Sequence, residues 1–187
     1  MNYSKTQSNY FFNVRKATLA CLLFFFCFGA YAQTCSVKAD KLEENNYTNL
    51  PSVYDFGGST FVACKTGMIT TISFKVTNES VVQPNAMFFV ENGIGNGVIE
   101  GDSQTYADYS QGVSISGSGR VTTVRLSTPF PVQQGETYTW YVQKDPKAGA
   151  FVQAGAIDPL NGFDGGSAWY NNKYYRSMDN IFSVKIK

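Results

Sequence analysis

The residues best suited to chemistry lie near the end of the chain, in DPLNGFDGGSAWYNNKYY, residues 158–175. Trp169, Tyr170, Tyr174 and Tyr175 stand there beside the amides Asn171 and Asn172 and the acid Asp164. Sugar rings lay their C–H faces on aromatic faces, while amides and acids bond their hydroxyls, so Trp169, Tyr170, Asn171, Asn172 and Tyr174 are candidate ligand-binding residues. A second chemistry shares the stretch. Asp158, Asn161 and Asp164 offer oxygen ligands hard enough for calcium. They lack the alternating acids and closing Glu of an EF-hand loop. Asn161-Gly162 and Asp164-Gly165 are also strong turn dipeptides. Turn and structural calcium therefore both stand as readings, and no other cofactor is expected.

Much chemistry is excluded. The chain has no histidine, which removes Ser-His-Asp and Cys-His catalysis and His-ligated zinc together. The glycine-rich segment 92–97 lacks the Lys-Ser/Thr pair of a phosphate-binding loop. Acids are numerous, but no spacing pairs two of them for glycoside hydrolysis. No catalytic residue is expected, and the chain reads as a non-enzyme.

Residues 1–32 have the form of a secretory signal peptide. Lys5, Arg15 and Lys16 precede the apolar run Leu19–Gly29, and Ala30-Tyr31-Ala32 follows as a cleavage site. The run is shorter than the roughly 20 residues that span a bilayer. Cys21 and Cys27 lie within it rather than after it, where a lipoprotein signal needs a cysteine. The expected product starts at Gln33, is secreted to an extracellular or periplasmic space, and has no further membrane-inserting segment. It keeps 12 Lys and Arg against 14 Asp and Glu, a net charge of −2. With no basic stripe, nucleic acid is not an expected partner. Cys35 and Cys64 are the two remaining cysteines. An oxidising compartment favours a disulfide between them over two buried thiols.

These residues must be positioned by strands. Short runs of β-branched and aromatic residues alternate with Gly, Asn, Asp, Ser and Pro clusters, and no long segment has helical periodicity. Residues 33–187 are expected to form one all-β domain, an antiparallel two-sheet sandwich of about eight or nine strands. Thr137–Lys144 is the strongest strand, with Tyr138, Trp140 and Val142 on its core face. In 68–76, Ile72, Phe74 and Val76 share one face while Ile69 is out of phase, which predicts a bulge early in the strand. Ala86–Glu91 is apolar enough to be buried on both sides. In 181–186, Phe182, Val184 and Ile186 point inward and Ser183 and Lys185 outward. Gln134-Gly135 is a turn. The polar segment 40–50 is expected to be a short helix or a loop. In 168–170, alternation puts Trp169 and Tyr170 on opposite faces, so one of them belongs to the core.

Three segments, STFVACKTGMITTISF, GRVTTVRLSTPFPVQQGETYTWYV and NGFDGGSAWYNN, resemble a group of secreted β-sandwich domains of Bacteroidetes-type bacteria. Such domains occur beside adhesion and surface-sorting modules. The resemblance spans about residues 59–186. It implies a jelly-roll-like module that binds a glycan or another cell-surface component, and it carries over no catalytic residue. Its first rival is a structural or adhesive matrix protein that acts through protein contacts; a carbohydrate-active enzyme, which would need two acids facing each other across a groove, stands behind both.

Overall fold

Thr137–Gln143 is a strand because every position from 137 to 142 is β-branched or aromatic, and the rest of the architecture is arranged around it. The structure is a computed structural model. It describes residues 35–38, 46–50, 55–94, 108–117, 119–157, 167–170, 173–175 and 178–187. The expected signal peptide, 1–32, lies outside them.

The described residues form β1 (Cys35–Lys38), β2 (Asn46–Leu50), β3 (Phe56–Val62), β4 (Gly67–Lys75), β5 (Gln83–Asn92), β6 (Tyr109–Ile115), β7 (Val121–Val132), β8 (Thr137–Gln143), β9 (Phe151–Ile157), β10 (Ala168–Tyr170), β11 (Lys173–Tyr175), β12 (Met178–Asn180) and β13 (Phe182–Ile186). All pairings are antiparallel. A four-stranded sheet runs β1-β13-β4-β7, a six-stranded sheet β11-β10-β3-β8-β5-β6, and a three-stranded sheet β12-β9-β2. The all-β sandwich is as expected, but the strands number more than eight or nine. The excess comes from pieces of three to five residues, β1, β2, β11 and β12. Their sequences are dominated by turn-forming neighbours, and they become strands only by pairing. The segment expected to be helix or loop holds β2, whose residues 46–50 pair with β9. Asn46 and Asn49 disfavour a strand and offset Tyr47 and Thr48, so a partner edge decides the state by supplying the hydrogen bonds.

The core lies between the two larger sheets. Trp140, fully buried, stacks on Phe74 with ring centroids 5.1 Å apart and on Phe88 at 6.2 Å, and tilts against Phe182 at 5.5 Å. The predicted bulge in β4 is present: its register against β7 shifts between Ile69 and Thr71. The shift puts Ile69 back in phase, and Ile69, Ile72, Phe74 and Val76 are all buried. β5 lies between β8 and β6, and Phe88, Phe89 and Val90 are all buried, as their continuous apolar run implied. β13 is one-sided as expected.

Side chains close the sandwich where backbone pairing stops. Tyr109 and Gln111 of β6 reach Ser127 of β7, whose amide donates to Tyr109 Oη at 2.8 Å and Gln111 Oε1 at 2.9 Å. At one end, the Gln134-Gly135 turn clasps the turn after β3. Gly135 N donates to Ala63 O at 2.9 Å and Gln134 N to Thr66 Oγ1 at 3.0 Å. Gly135 has φ of 84°, a left-handed conformation open to glycine. The disulfide Cys35–Cys64 joins β1 of one sheet to the exit of β3 in the other, with Cα atoms 6.2 Å apart. That separation is ordinary for the bond.

The loop between β8 and β9 is fastened by Asp145, a buried residue. Its carboxylate accepts from Asn85 N at 3.0 Å, Asn85 Nδ2 at 3.1 Å and Lys147 N at 2.8 Å. The Lys147 amide is the main influence holding its acidity below the usual carboxylate range; burial opposes it and the Asn85 bonds assist. A depressed native pKa contributes stability above the unfolded value of about 3.9, and that contribution is lost as pH falls through the native value. Asp145→Asn is expected to be less stable than wild type near neutrality, with the gap narrowing in acid. Urea midpoints across a pH series would show this. A gap that stays constant with pH would mean that the carboxylate charge is not its source.

Candidate functional site

Strand register extends one row of residues across the whole six-stranded sheet. Ser110, Phe89, Tyr141, Gly58, Trp169 and Tyr174 are successive cross-strand partners on β6, β5, β8, β3, β10 and β11. Antiparallel partners share a face, and here it is the face turned away from the main core, since Trp140, Val142 and Phe88 occupy the alternate positions. Glu91, Thr139 and Thr60 form the row on one side, and Met87, Gln143 and Phe56 the row on the other.

The centre of this face is a second small core. Phe89 and Tyr141 stack at 4.8 Å, Phe56 tilts against Tyr141 at 5.9 Å, and all three are buried, with half-buried Met87 against them. The Tyr141 hydroxyl donates to Glu91 Oε2 at 3.3 Å. Burial, reinforced by the Glu91 charge and its hydrogen bond, pushes the phenol far above its usual pKa, so it remains a neutral donor. Beside it, Thr139 Oγ1 donates to Gly93 O at 2.6 Å. Asp108 clamps Asn92 through its amide N and Nδ2, both at 2.7 Å.

Gly58 breaks the aromatic row. A Cβ there would collide with the backbone of Trp140 and Tyr141, so glycine is required. Beyond it, β10 is anchored to β3 at Thr60, whose amide donates to Ser167 O at 2.9 Å and whose Oγ1 accepts from Ser167 N at 2.8 Å. The register then assigns the candidate residues. Ala168 is buried and Tyr170 packs against the main core, so the inward aromatic is Tyr170. Trp169 and Tyr174 are register partners on β10 and on the edge strand β11. Asn171 and Asn172 join these two strands and lie outside the described residues, as do Asp158, Asn161 and Asp164. Register thus makes Trp169 and Tyr174 cross-strand partners, while Tyr170 pairs with Lys173.

Sequence reading missed Phe56, Phe89, Tyr141 and Glu91. The available signal was the second face of 137–142, which holds Tyr141, but only pairing shows that Phe89 adjoins it. A polar seam was missed too. It joins the three-stranded sheet to β3, where Gln153 Nε2 donates to Gly57 O at 3.2 Å and Asn180 Nδ2 donates to Gly58 O. Among the described residues no group of three Cys, Asp or Glu could hold a metal ion, and no helix is long and apolar enough to cross a membrane. No family model matches the chain, and no curated protein matches its sequence.

Proposed function

We propose that this chain is a secreted, non-enzymatic module that binds carbohydrate at the edge of its six-stranded sheet. The observation that carries the reading is the register pairing of Trp169 with Tyr174, which continues an aromatic row to the edge of a sheet. Two aromatics adjoining on one face form a platform for a sugar ring, and Asn171 and Asn172, between them in sequence, supply hydroxyl partners. The buried Phe56–Phe89–Tyr141 cluster lies on the same face of that sheet, on β3, β5 and β8. The disulfide fits an oxidising compartment, in keeping with secretion.

A glycan array followed by titration of tryptophan fluorescence tests the proposal. Trp169→Ala is expected to weaken binding to the selected glycan by about tenfold or more, the usual scale for a central aromatic contact. Absence of any glycan binding, or full affinity in Trp169→Ala, would reject it. Self-association or cell attachment that soluble sugar does not compete would instead favour a role through protein contacts.

A further inference from the structure

We propose that the outer face of the four-stranded sheet is a docking surface for an acidic polysaccharide, a hydroxylated polymer bearing uronate or sulfate groups. The proposal concerns a different sheet from the aromatic row and does not depend on it. β1, β4, β7 and β13 contain Lys38, Lys75, Arg125 and Lys185 and no Asp or Glu. Residues 33–187 together carry a net negative charge, so these cations are segregated.

The register orders them. Lys38, Ser183, Ser73 and Thr123 form one row, and Ser36, Lys185, Thr71 and Arg125 the next. Lys75 lies further along β4, opposite Val121. Their strand neighbours Val37, Ile72, Val124 and Val184 are buried in the core, so both rows face outward. Lys38, Arg125 and Lys185 are exposed. Strands lie about 4.8 Å apart, which puts Lys185 and Arg125 about 10 Å apart across Thr71. Lys38 and Lys185 are diagonal neighbours at about 7–8 Å. Like charges at these distances repel within a Debye length, and a polyanion laid across the sheet removes that repulsion.

The side chains between the cations decide the kind of polyanion. Ser36, Thr71, Ser73, Thr123 and Ser183 are hydroxyls, which donate and accept as sugar hydroxyls do. Ser73 Oγ and Thr123 Oγ1 are already 2.9 Å apart across two strands. The two rows contain no aromatic residue for base stacking, the usual platform for single-stranded nucleic acid. They also contain no apolar side chain to enter a bilayer. A flat lattice of cations and hydroxyls matches a chain that alternates charge with hydroxyl groups.

The test is retention of the secreted protein on immobilised polygalacturonate, with neutral dextran, duplex DNA and phosphatidylserine vesicles as comparison probes. Binding to polygalacturonate is expected at low salt and is expected to weaken as salt rises. The double variant Lys185→Gln/Arg125→Gln is expected to weaken it by about tenfold, with Lys185→Arg/Arg125→Lys close to wild type. Both side chains are exposed, so an unchanged melting temperature verifies the fold of each variant. Trp169→Ala is expected to bind polygalacturonate normally, which separates this surface from the sheet-edge site. Four results would each overturn the proposal: no retention, full affinity in the double Gln variant, dextran retained as well as polygalacturonate, or DNA or vesicles bound as tightly as the acidic polymer.

Discussion

Trp140→Ala is expected to lower the unfolding free energy by about 3–5 kcal/mol, the largest single-residue effect in this chain. The indole is fully buried at the centre of the sandwich and touches rings from both sheets: Phe88 beside it, Phe74 and Phe182 opposite. Truncation removes its transfer energy and leaves a cavity that two hydrogen-bonded sheets cannot close. For a domain of this size the melting temperature should fall by about 10 °C or more. Trp140→Phe gives the informative contrast. The indole N–H is buried and has no hydrogen-bond partner among the described residues. Phenylalanine keeps much of the stacking and removes that unsatisfied donor, so the two changes offset and the net cost should be within about 1 kcal/mol. Chemical denaturation of the three proteins measures both numbers. If Trp140→Ala costs under about 1 kcal/mol, the sandwich is not organised around this residue.

Loss of the Cys35–Cys64 link is expected to cost about 3–4 kcal/mol. The bond closes a loop with a sequence separation of 29, and the chain-entropy relation for that length gives a figure in this range. The structure adds where the loss should appear. β1 is a four-residue edge strand whose strand partner is β13. Without the bond to the end of β3, it is held by a short ladder and the burial of Val37. Cys64→Ala is the cleaner variant, because Cys64 is exposed whereas Cys35 packs against the core. A matching loss on reduction of the wild type would confirm that the link is the cause. Hydrogen exchange should accelerate first in residues 35–38. Two titratable thiols in the unreduced native protein, or a Cys64→Ala variant as stable as wild type, would contradict this account.

Local sequence determined those features that depend on side-chain alternation. The faces of 137–143 and 182–186 follow a period of two because a pleated strand has no other option. The bulge near Ile69 was legible for the same reason: a hydrophobic residue out of phase must either be exposed or be shifted by one position. The turn at Gln134-Gly135 and the Cys35–Cys64 pair were equally readable from residue type. The signal was weakest where strands are short. Residues 46–50 and 178–180 carry turn-forming and polar residues, and their strand state comes from hydrogen bonds offered by β9.

Register between distant strands was decided only by the tertiary structure, because it depends on which edges meet. Sequence alternation set Trp169 opposite Tyr170 but could not choose the inward one. Pairing of Ala168 with Ser59 and of Trp169 with Gly58 made the choice, since Ser59 faces the main core and Gly58 does not. The same pairing aligned Trp169 with Tyr141 and Phe89, which are far apart in sequence. It also gathered Lys38, Arg125 and Lys185 from three strands onto one face. A strand's own sequence specifies its two sides. Which residues of other strands share a side is specified by the hydrogen-bonded neighbour, and both proposed binding surfaces arise at that level.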